Sequence, residues 1–318
     1  TGLQNVTAVR MHCSDRKEDK IMVGKQERRY QRMITVVLAL ISLIMVIPLV
    51  LLVVASFTSN NEIVLHGYSF FPKELSLEAY RYIWNERAQV FHAYGITILV
   101  TAIGTTIGVM MTLLYAYVLA HEKFPGKTFL AFYLFFTMLF NGGLVPTYIM
   151  YTRYLHMKNT IPALIIPGLL MSAFNVILTR TYIQSNVPAA LSEAAKIDGA
   201  TEFQVFRKVV LPMCKPIIAT VGLFAGLGYW NDWTNGLYYI TDTNKFSIQQ
   251  LLNNMIKNIE FLSKNANSNI NLASVGGGIP QETVRMAIAI VGLLPILIVF
   301  PFVQKYFVKG ISIGAVKG

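Results

Sequence analysis

Charge is what this sequence has least of. Asp, Glu, Lys and Arg make up 14% of its 318 residues and hydrophobic residues 54%, where a soluble domain is about a quarter charged. Cysteine is nearly absent: Cys13 and Cys214 both fall on stretches assigned below to the cytoplasmic side, which argues against a disulfide. Histidines stand at 12, 66, 92, 121 and 156, with no pair at metal-ligand spacing, so no metal site is expected. Neither a Ser-His-Asp nor a Cys-His arrangement is readable, nor a pair of carboxylates in a pocket. There is no run of arginines for a voltage sensor and no repeated filter sequence for a channel. The stretch FPGKT, Phe124–Thr128, ends like a phosphate-binding loop, but His121 stands where the first glycine belongs. It also joins two apolar runs instead of following a strand, as that loop requires. These absences exclude an enzyme working alone and leave the apolar residues to explain.

Those residues are gathered into six runs near or above the roughly 20 positions that a helix needs to cross a bilayer: Met33–Phe57, Tyr94–Ala120, Phe129–Tyr151, Ile161–Thr179, Pro216–Ile240 and Met286–Phe307. The expected fold is therefore all-α: a polytopic membrane protein with six transmembrane helices. The net charge of +11 invites a nucleic-acid partner, but the distribution of the basic residues decides otherwise. With the N-terminus cytoplasmic, 18 Lys/Arg lie inside and nine outside, while acidic residues divide eight and eight. The surplus reads as a topology signal, with both termini inside and no nucleic acid. Residues 1–32 are too long and too charged for a cleaved signal, so the first apolar run is expected to stay as a helix. The organisation that follows is an N-terminal cytoplasmic segment over 1–32, a first helix and outside loop over 33–90, and a core over 91–318.

Within that core the runs are interrupted. Gly104 and Gly108 form a small-xxx-small pair that permits close helix approach. NGGLVP, Asn141–Pro146, breaks the third run; prolines 162 and 167 lie in the fourth, 295 and 301 in the sixth. The longest outside loop, Thr241–Arg285, joins FSIQQLLNNMIKNIEFL, with helical periodicity, to the polar, glycine-rich NANSNINLASVGGGIPQ. Only one acidic residue, Asp232, is expected well inside a run, with no basic partner beside it. Gradient-driven carriers place ionisable groups in the membrane to couple protonation to movement, so a proton relay is disfavoured.

One polar stretch separates the fourth and fifth runs: EAAKIDGATEFQVFRKVVLP, Glu193–Pro212. Pro188 suits a helix start and Gly199 a helix stop. TEFQ, Thr201–Gln204, has the capping-box pattern that opens a second short helix. Phe203, Phe206 and Val210 recur at helical spacing as one apolar stripe, and Pro212 is expected to end it. Two short helices would thus meet at a tight bend near Gly199 on the cytoplasmic face. Ala194 and Ala195, flanked by Glu193 and Lys196, leave a small flat patch. By physics alone it suits either close approach of a protein or rest on lipid headgroups.

The pattern EAA…G…LP resembles the signature of ABC-importer permeases. The full stretch, with YWNDWTNGLYYI (Tyr229–Ile240) and the tail QKYFVKGISIGAVKG (Gln304–Gly318), resembles the carbohydrate branch: the smaller permease of maltose-type importers and the lipoprotein/polysaccharide-type permeases. The likeness runs from about Phe91 to the C-terminus. It implies a type I ABC-importer permease fold in a bacterial cytoplasmic (inner) membrane. It also implies that residues 188–212 form coupling helices, seated in a cleft of a cytoplasmic ATPase through Glu193, Ala194, Ala195, Lys196, Asp198, Gly199, Leu211 and Pro212. The partners so implied are a second, different permease, two ATPase subunits that bind ATP and Mg, an extracytoplasmic solute-binding protein reached by the long outside loop, and membrane lipid. No cofactor is implied on this chain.

The cargo implied is an oligosaccharide or polysaccharide fragment. Asn141, Tyr229, Trp230, Asn231, Asp232, Trp233 and Asn235 are candidates for its pathway, since aromatics stack on sugar faces and amides bond hydroxyls. An aromatic belt at the outer interface would use the same residue types. A permease for another solute, polyamine or phosphate, is the alternative within the superfamily, and an ion-driven carrier the alternative outside it.

Overall fold

The computed structural model describes the backbone of residues 2–121, 124–266 and 281–315, with side chains over 29–121, 124–261 and 282–301. Among the described residues every regular element is helical, and the one β pairing is an isolated bridge between Thr58 and Leu75. The glycine-rich part of the long outside loop and the last three residues of the tail lie outside the described residues.

The chain divides into two units, 1–76 and 77–318. The first holds helix α1 (Gly2–Ser56) and helix α2 (Asn60–His66). Within α1, Arg29–Ser56 is long and apolar enough to cross a membrane. The chain beyond α2 folds back on the end of α1. Ser59 N–H donates to the Glu74 carbonyl, Ser76 N–H to that of Phe57, and the Glu62 carboxylate accepts the N–H groups of Lys73 and Glu74. Those two backbone donors hold the Glu62 carboxyl below its usual range.

The second unit is built on helix α4 (Arg87–Ala120), preceded by the short helix α3 (Glu78–Asn85). The positions of α4 that are buried, Thr97, Val100, Gly104, Gly108 and Thr112, repeat every three or four residues and are mostly small. Neighbours can therefore lie almost against its backbone, the way helices associate where no hydrophobic driving force separates lipid from side chain. A side chain at Gly104 would overlap the ring of Tyr229, and one at Gly108 the carbonyl oxygen of Leu170. The expected small-xxx-small contact is present, with both partners identified.

The third run is broken where NGGLVP falls. Helix α5 (Lys127–Leu139) ends and helix α6 (Leu144–Tyr154) restarts at 114° to it. Gly143, at φ +81°, takes the left-handed region that a side chain resists, and the Asn141 side chain accepts its N–H at 2.9 Å. The fourth run, expected as one helix over Ile161–Thr179, is two: α7 (Pro162–Ile165) and α8 (Ala173–Asn186). Pro167 and Gly168, with φ +72° at the glycine, divide them. Helices α9 (Ala189–Ile197) and α10 (Glu202–Met213) precede α11 (Lys215–Asn231), which stands at 81° to α10. Then come α12 (Thr234–Tyr239), α13 (Ile248–Ala266) and α14 (Gln281–Ala315). Among the described residues three helices are long and apolar enough to span alone, α1, α4 and α14, and the candidate spans number up to five if each bent pair is one span. The six continuous spans read from hydropathy are thus not six continuous helices.

Side chains pack in two clusters toward opposite ends of α4. One gathers Val90, Ala93 and Val100 with α7, Tyr239 and the buried stripe of α13, Ile248, Leu251, Leu252, Met255 and Ile259. The other gathers Leu113, Ala116 and Leu119 with Val176, Val205, Phe206 and Val210. The first is tied further by the Thr97 hydroxyl, which accepts the Ile248 N–H at 2.8 Å, and by His92 Nε2, 2.7 Å from the Asn244 carbonyl oxygen.

Candidate functional site

The polar stretch between α8 and α11 folds by local rules. Helix α9 starts just after Pro188 and ends in a Schellman turn: Gly199 N–H donates to the Lys196 carbonyl at 3.0 Å and Ala200 N–H to that of Ala195 at 2.9 Å. Gly199 has φ +84°, the conformation that closes such a turn without steric cost. Thr201 then caps α10 reciprocally with Gln204, its own N–H donating to Gln204 Oε1 at 2.9 Å and its hydroxyl accepting the Gln204 N–H. Helix, glycine bend and capped helix all stand where the residue pattern put them.

Two expectations for α10 need correction. Phe203 is 65% exposed; the buried side is Val205, Phe206 and Val210, with Cys214 just beyond. Pro212 does not end the helix, which continues to Met213 because Phe206–Val210 widens into a π turn. Leu211 N–H donates to the Phe206 carbonyl, one residue further back than in an α-helix. That widened turn takes up the clash proline brings to the preceding carbonyls.

On α9 the predicted coupling residues face two ways. Glu193, Ala194, Asp198 and Gly199 are exposed, and Ala195 packs partly on the cluster below. Leu191 is exposed and Ile197 is 86% exposed, so the outward side is apolar as well as small. Lys196 turns back instead. Its ammonium lies 2.5 Å from Glu202 Oε1 and 3.3 Å from His121 Nε2. The other oxygen of Glu202 accepts from the Tyr117 hydroxyl at 2.9 Å. Tyr117, Glu202 and His121 are not among the coupling residues expected from the sequence. The signal lay in Glu202 as the acid opening a capped helix, while Tyr117 was hidden inside an apolar run.

The pathway candidates separate into three kinds. Tyr229 is buried in the packing against α4, its hydroxyl donating to the Ile165 carbonyl at 2.9 Å. Asp232 is not within a helix: it stands at the break between α11 and α12, where its Oδ1 accepts the N–H groups of Thr234 and Asn235. Asn235 donates to the Pro167 carbonyl at 2.9 Å, Trp230 Nε1 to that of Gly292, and Asn141 closes its own turn. Those side chains shape backbone.

Asn231 and Trp233 remain, and they line a groove of about 430 Å³ with Gln249 and Asn253 of α13 and apolar residues of α13 and α14. Gln249 and Asn253 were missed from sequence. They lie one turn apart, beside the buried stripe of α13, whose Leu252 also lines the groove.

The groove presents three amides, one indole and aliphatic walls, and among its lining residues there is no charge. It offers hydrogen bonds and a flat ring to a neutral polar surface and no group to donate or abstract a proton. FPGKT forms a reverse turn at the start of α5, with Gly126 at φ +85°.

Residues 123–313 match the family described as binding-protein-dependent transport system inner membrane component. The chain is 35% identical over 293 residues to the polygalacturonan/rhamnogalacturonan transport system permease protein YtcP of Bacillus subtilis, covering 92% of this chain and all of that one. It is 26% identical to the arabinooligosaccharides transport system permease protein AraQ of Halalkalibacterium halodurans, over 90% of this chain and 96% of that one. Among solved structures it is similar to a chain of a bacterial ABC transporter involved in the import of the acidic polysaccharide alginate. The TM-score is 0.73 at 28% identity, over 89% of this chain and 98% of that one.

Proposed function

Because this chain belongs to the family of binding-protein-dependent transport system inner membrane components, the membrane permeases of ABC importers, we propose that its cargo is an oligosaccharide cut from a uronate-containing polysaccharide. The chain is the permease of a carbohydrate importer and not itself an enzyme. The observation that carries the narrower reading is that the relatives are named for polygalacturonan/rhamnogalacturonan and for import of the acidic polysaccharide alginate; the groove at Asn231, Trp233, Gln249 and Asn253 is uncharged and would meet the hydroxyls and ring faces of such an oligomer.

The reading extends to topology and partners. Six crossings, with both termini cytoplasmic, fit the excess of basic residues on the α9–α10 side; the bent pairs counted as single spans bring the number to five, and the divided fourth run, α7 with α8, taken as one more crossing makes six. Helix α9 is the coupling helix, presenting Ala194 and its apolar neighbours to an ATPase subunit. ATP and Mg belong to two such subunits. A second permease and an extracytoplasmic binding protein complete the importer, the latter reached by the loop that carries α13.

Uptake tests this. The reconstituted complex should import galacturonate oligomers with ATP and its ATPases, and neutral maltodextrins poorly. Import that persists without the ATPase subunits but collapses with an ionophore sinks the ABC mechanism. Preference for neutral oligomers sinks only the acidic cargo.

A further inference from the structure

The carboxylate of Glu202 is shared between two helices. Oε1 meets the ammonium of Lys196, on the last turn of α9, at 2.5 Å. Oε2 accepts from the hydroxyl of Tyr117, near the end of α4, at 2.9 Å. His121, immediately beyond α4, closes the figure, 3.3 Å from the Lys196 ammonium and 3.8 Å from Glu202 Oε2. The Tyr117 ring is also wedged between His121 and Phe206, with centroids 4.8 and 5.2 Å away. Elements far apart in sequence thus meet on one side chain.

The position of this figure matters more than its energy. Lys196 and Glu202 stand on either side of Gly199, the residue at φ +84° about which α9 and α10 are joined. A glycine turn is the natural pivot between two helices. Nothing lies within 4 Å of the position a Cβ would take at Gly199, so no side chain crowds the pivot itself. The ion pair bridges it from outside. An exposed ion pair adds little to stability by itself, so its use is to fix an angle.

Helix α4 gives that angle a destination. Its 34 residues extend about 50 Å at 1.5 Å per residue. Gly104 and Gly108 hold it against Tyr229 and Leu170 in the middle, and Thr97 and His92 tie its other end to Ile248 and Asn244. A displacement delivered at Tyr117 is therefore delivered to one continuous, tightly seated helix whose other end is tied to the long loop.

We propose that Glu202 is a positioning residue: it braces the coupling helix across the Gly199 pivot and ties it to the end of α4, so that a push on α9 moves α4 instead of folding the hinge. This rests on reading α9 as the coupling helix. Without the brace, the ATPases would still close and turn over, but their stroke would be spent in the hinge.

The test uses the whole importer in proteoliposomes, with binding protein supplied. Galacturonate and alginate oligomers are tried first on the wild type, and the one it imports becomes the probe. Glu202→Ala removes the carboxylate from an exposed site. Tyr117→Phe keeps the ring between Phe206 and His121 and deletes only its bond to Glu202. Both should lower oligomer imported per ATP hydrolysed by roughly fivefold or more, with the purified complex intact and its melting temperature nearly unmoved. Glu202→Asp should recover part of the loss. An unchanged ratio in both variants overturns the brace, and so does a fall that merely follows loss of ATPase subunits from the complex. Gly199→Asp, run in parallel, separates the two ideas. If it uncouples while the other variants do not, the brace alone fails; if it too leaves the ratio unchanged, the coupling-helix reading fails.

Discussion

Tyr229 of α11 sets the end of its phenol ring where a side chain on Gly104 of α4 would stand, and its hydroxyl donates to the Ile165 carbonyl at 2.9 Å. One residue thereby joins three helices, α4, α7 and α11. The space is available only because position 104 has no Cβ, and the close approach brings backbone dispersion contacts that lipid cannot supply.

Gly104→Val should therefore be far more damaging than its added volume suggests, because the overlap falls on a ring held at both its face and its hydroxyl. We expect little folded protein from detergent extracts. Tyr229→Phe, which keeps the ring and loses one hydrogen bond, should cost about 1 kcal/mol and leave import near normal. A Gly104→Val protein that melts like the wild type would show that the helices separate without penalty.

Gly199 sits in the left-handed region at φ +84° with open space around it. Any side chain there is opposed by backbone conformation and not by crowding, at about 1–2 kcal/mol. Gly199→Asp and Glu193→Lys should both leave the chain inserted and joined to its partner permease, yet abolish sugar-stimulated ATPase activity. The first turns α9 away from its angle; the second reverses a charge on its exposed side. Normal stimulation in both would remove α9 from the coupling role.

The Glu62 clasp should depend on pH in one direction. Its carboxyl is lowered in the folded chain by the N–H groups of Lys73 and Glu74, from an ordinary value of 4.5. A lowered folded value means the clasp contributes at every pH above 4.5 and is lost as pH falls through the folded value. At neutral pH tryptic cleavage at Lys73 should be slow, and Glu62→Gln should speed it, because a neutral amide oxygen is a weaker acceptor for two donors. Equal cleavage rates would mean that the Thr58–Leu75 bridge closes the loop alone.

What could be read before the structure was whatever short-range chemistry determines. The Gly199 stop, the Thr201–Gln204 capping box and the helical periodicity over 246–262 rest on residues a few positions apart, and the structure has a Schellman turn, a capped helix and the helix Ile248–Ala266 there. Hydropathy over Ile161–Thr179 reports how readily the segment leaves water and carries no information on chain direction. The division at Pro167 and Gly168 depends on Asn235, 68 residues away, satisfying the freed Pro167 carbonyl. Tyr229 looked like a pathway residue because an aromatic beside amides suits sugars; only the tertiary contact with Gly104 shows it to be packing. The same limit hid Glu202, whose partners come from 85 residues upstream as well as from the preceding helix.

The groove supplies the last expectation. Trp233 is 43% exposed and shares that groove with Asn231, Gln249 and Asn253, whereas its neighbours Tyr229, Trp230 and Asn235 already spend their polar atoms on backbone carbonyls. A ring that only anchored the chain at the membrane interface would tolerate replacement by another aromatic and would be indifferent to the amides. A ring that stacks on sugar should act with them. Trp233→Ala and Asn253→Ala should each lower the import rate, roughly tenfold for the indole if it contributes more than 1 kcal/mol of stacking. The double variant should lose less than the sum of the two, because both touch one substrate. Trp233→Phe should keep part of the rate. Strict additivity of the two losses, or import unaffected by either, would assign Trp233 to the interfacial belt and move the pathway away from this groove.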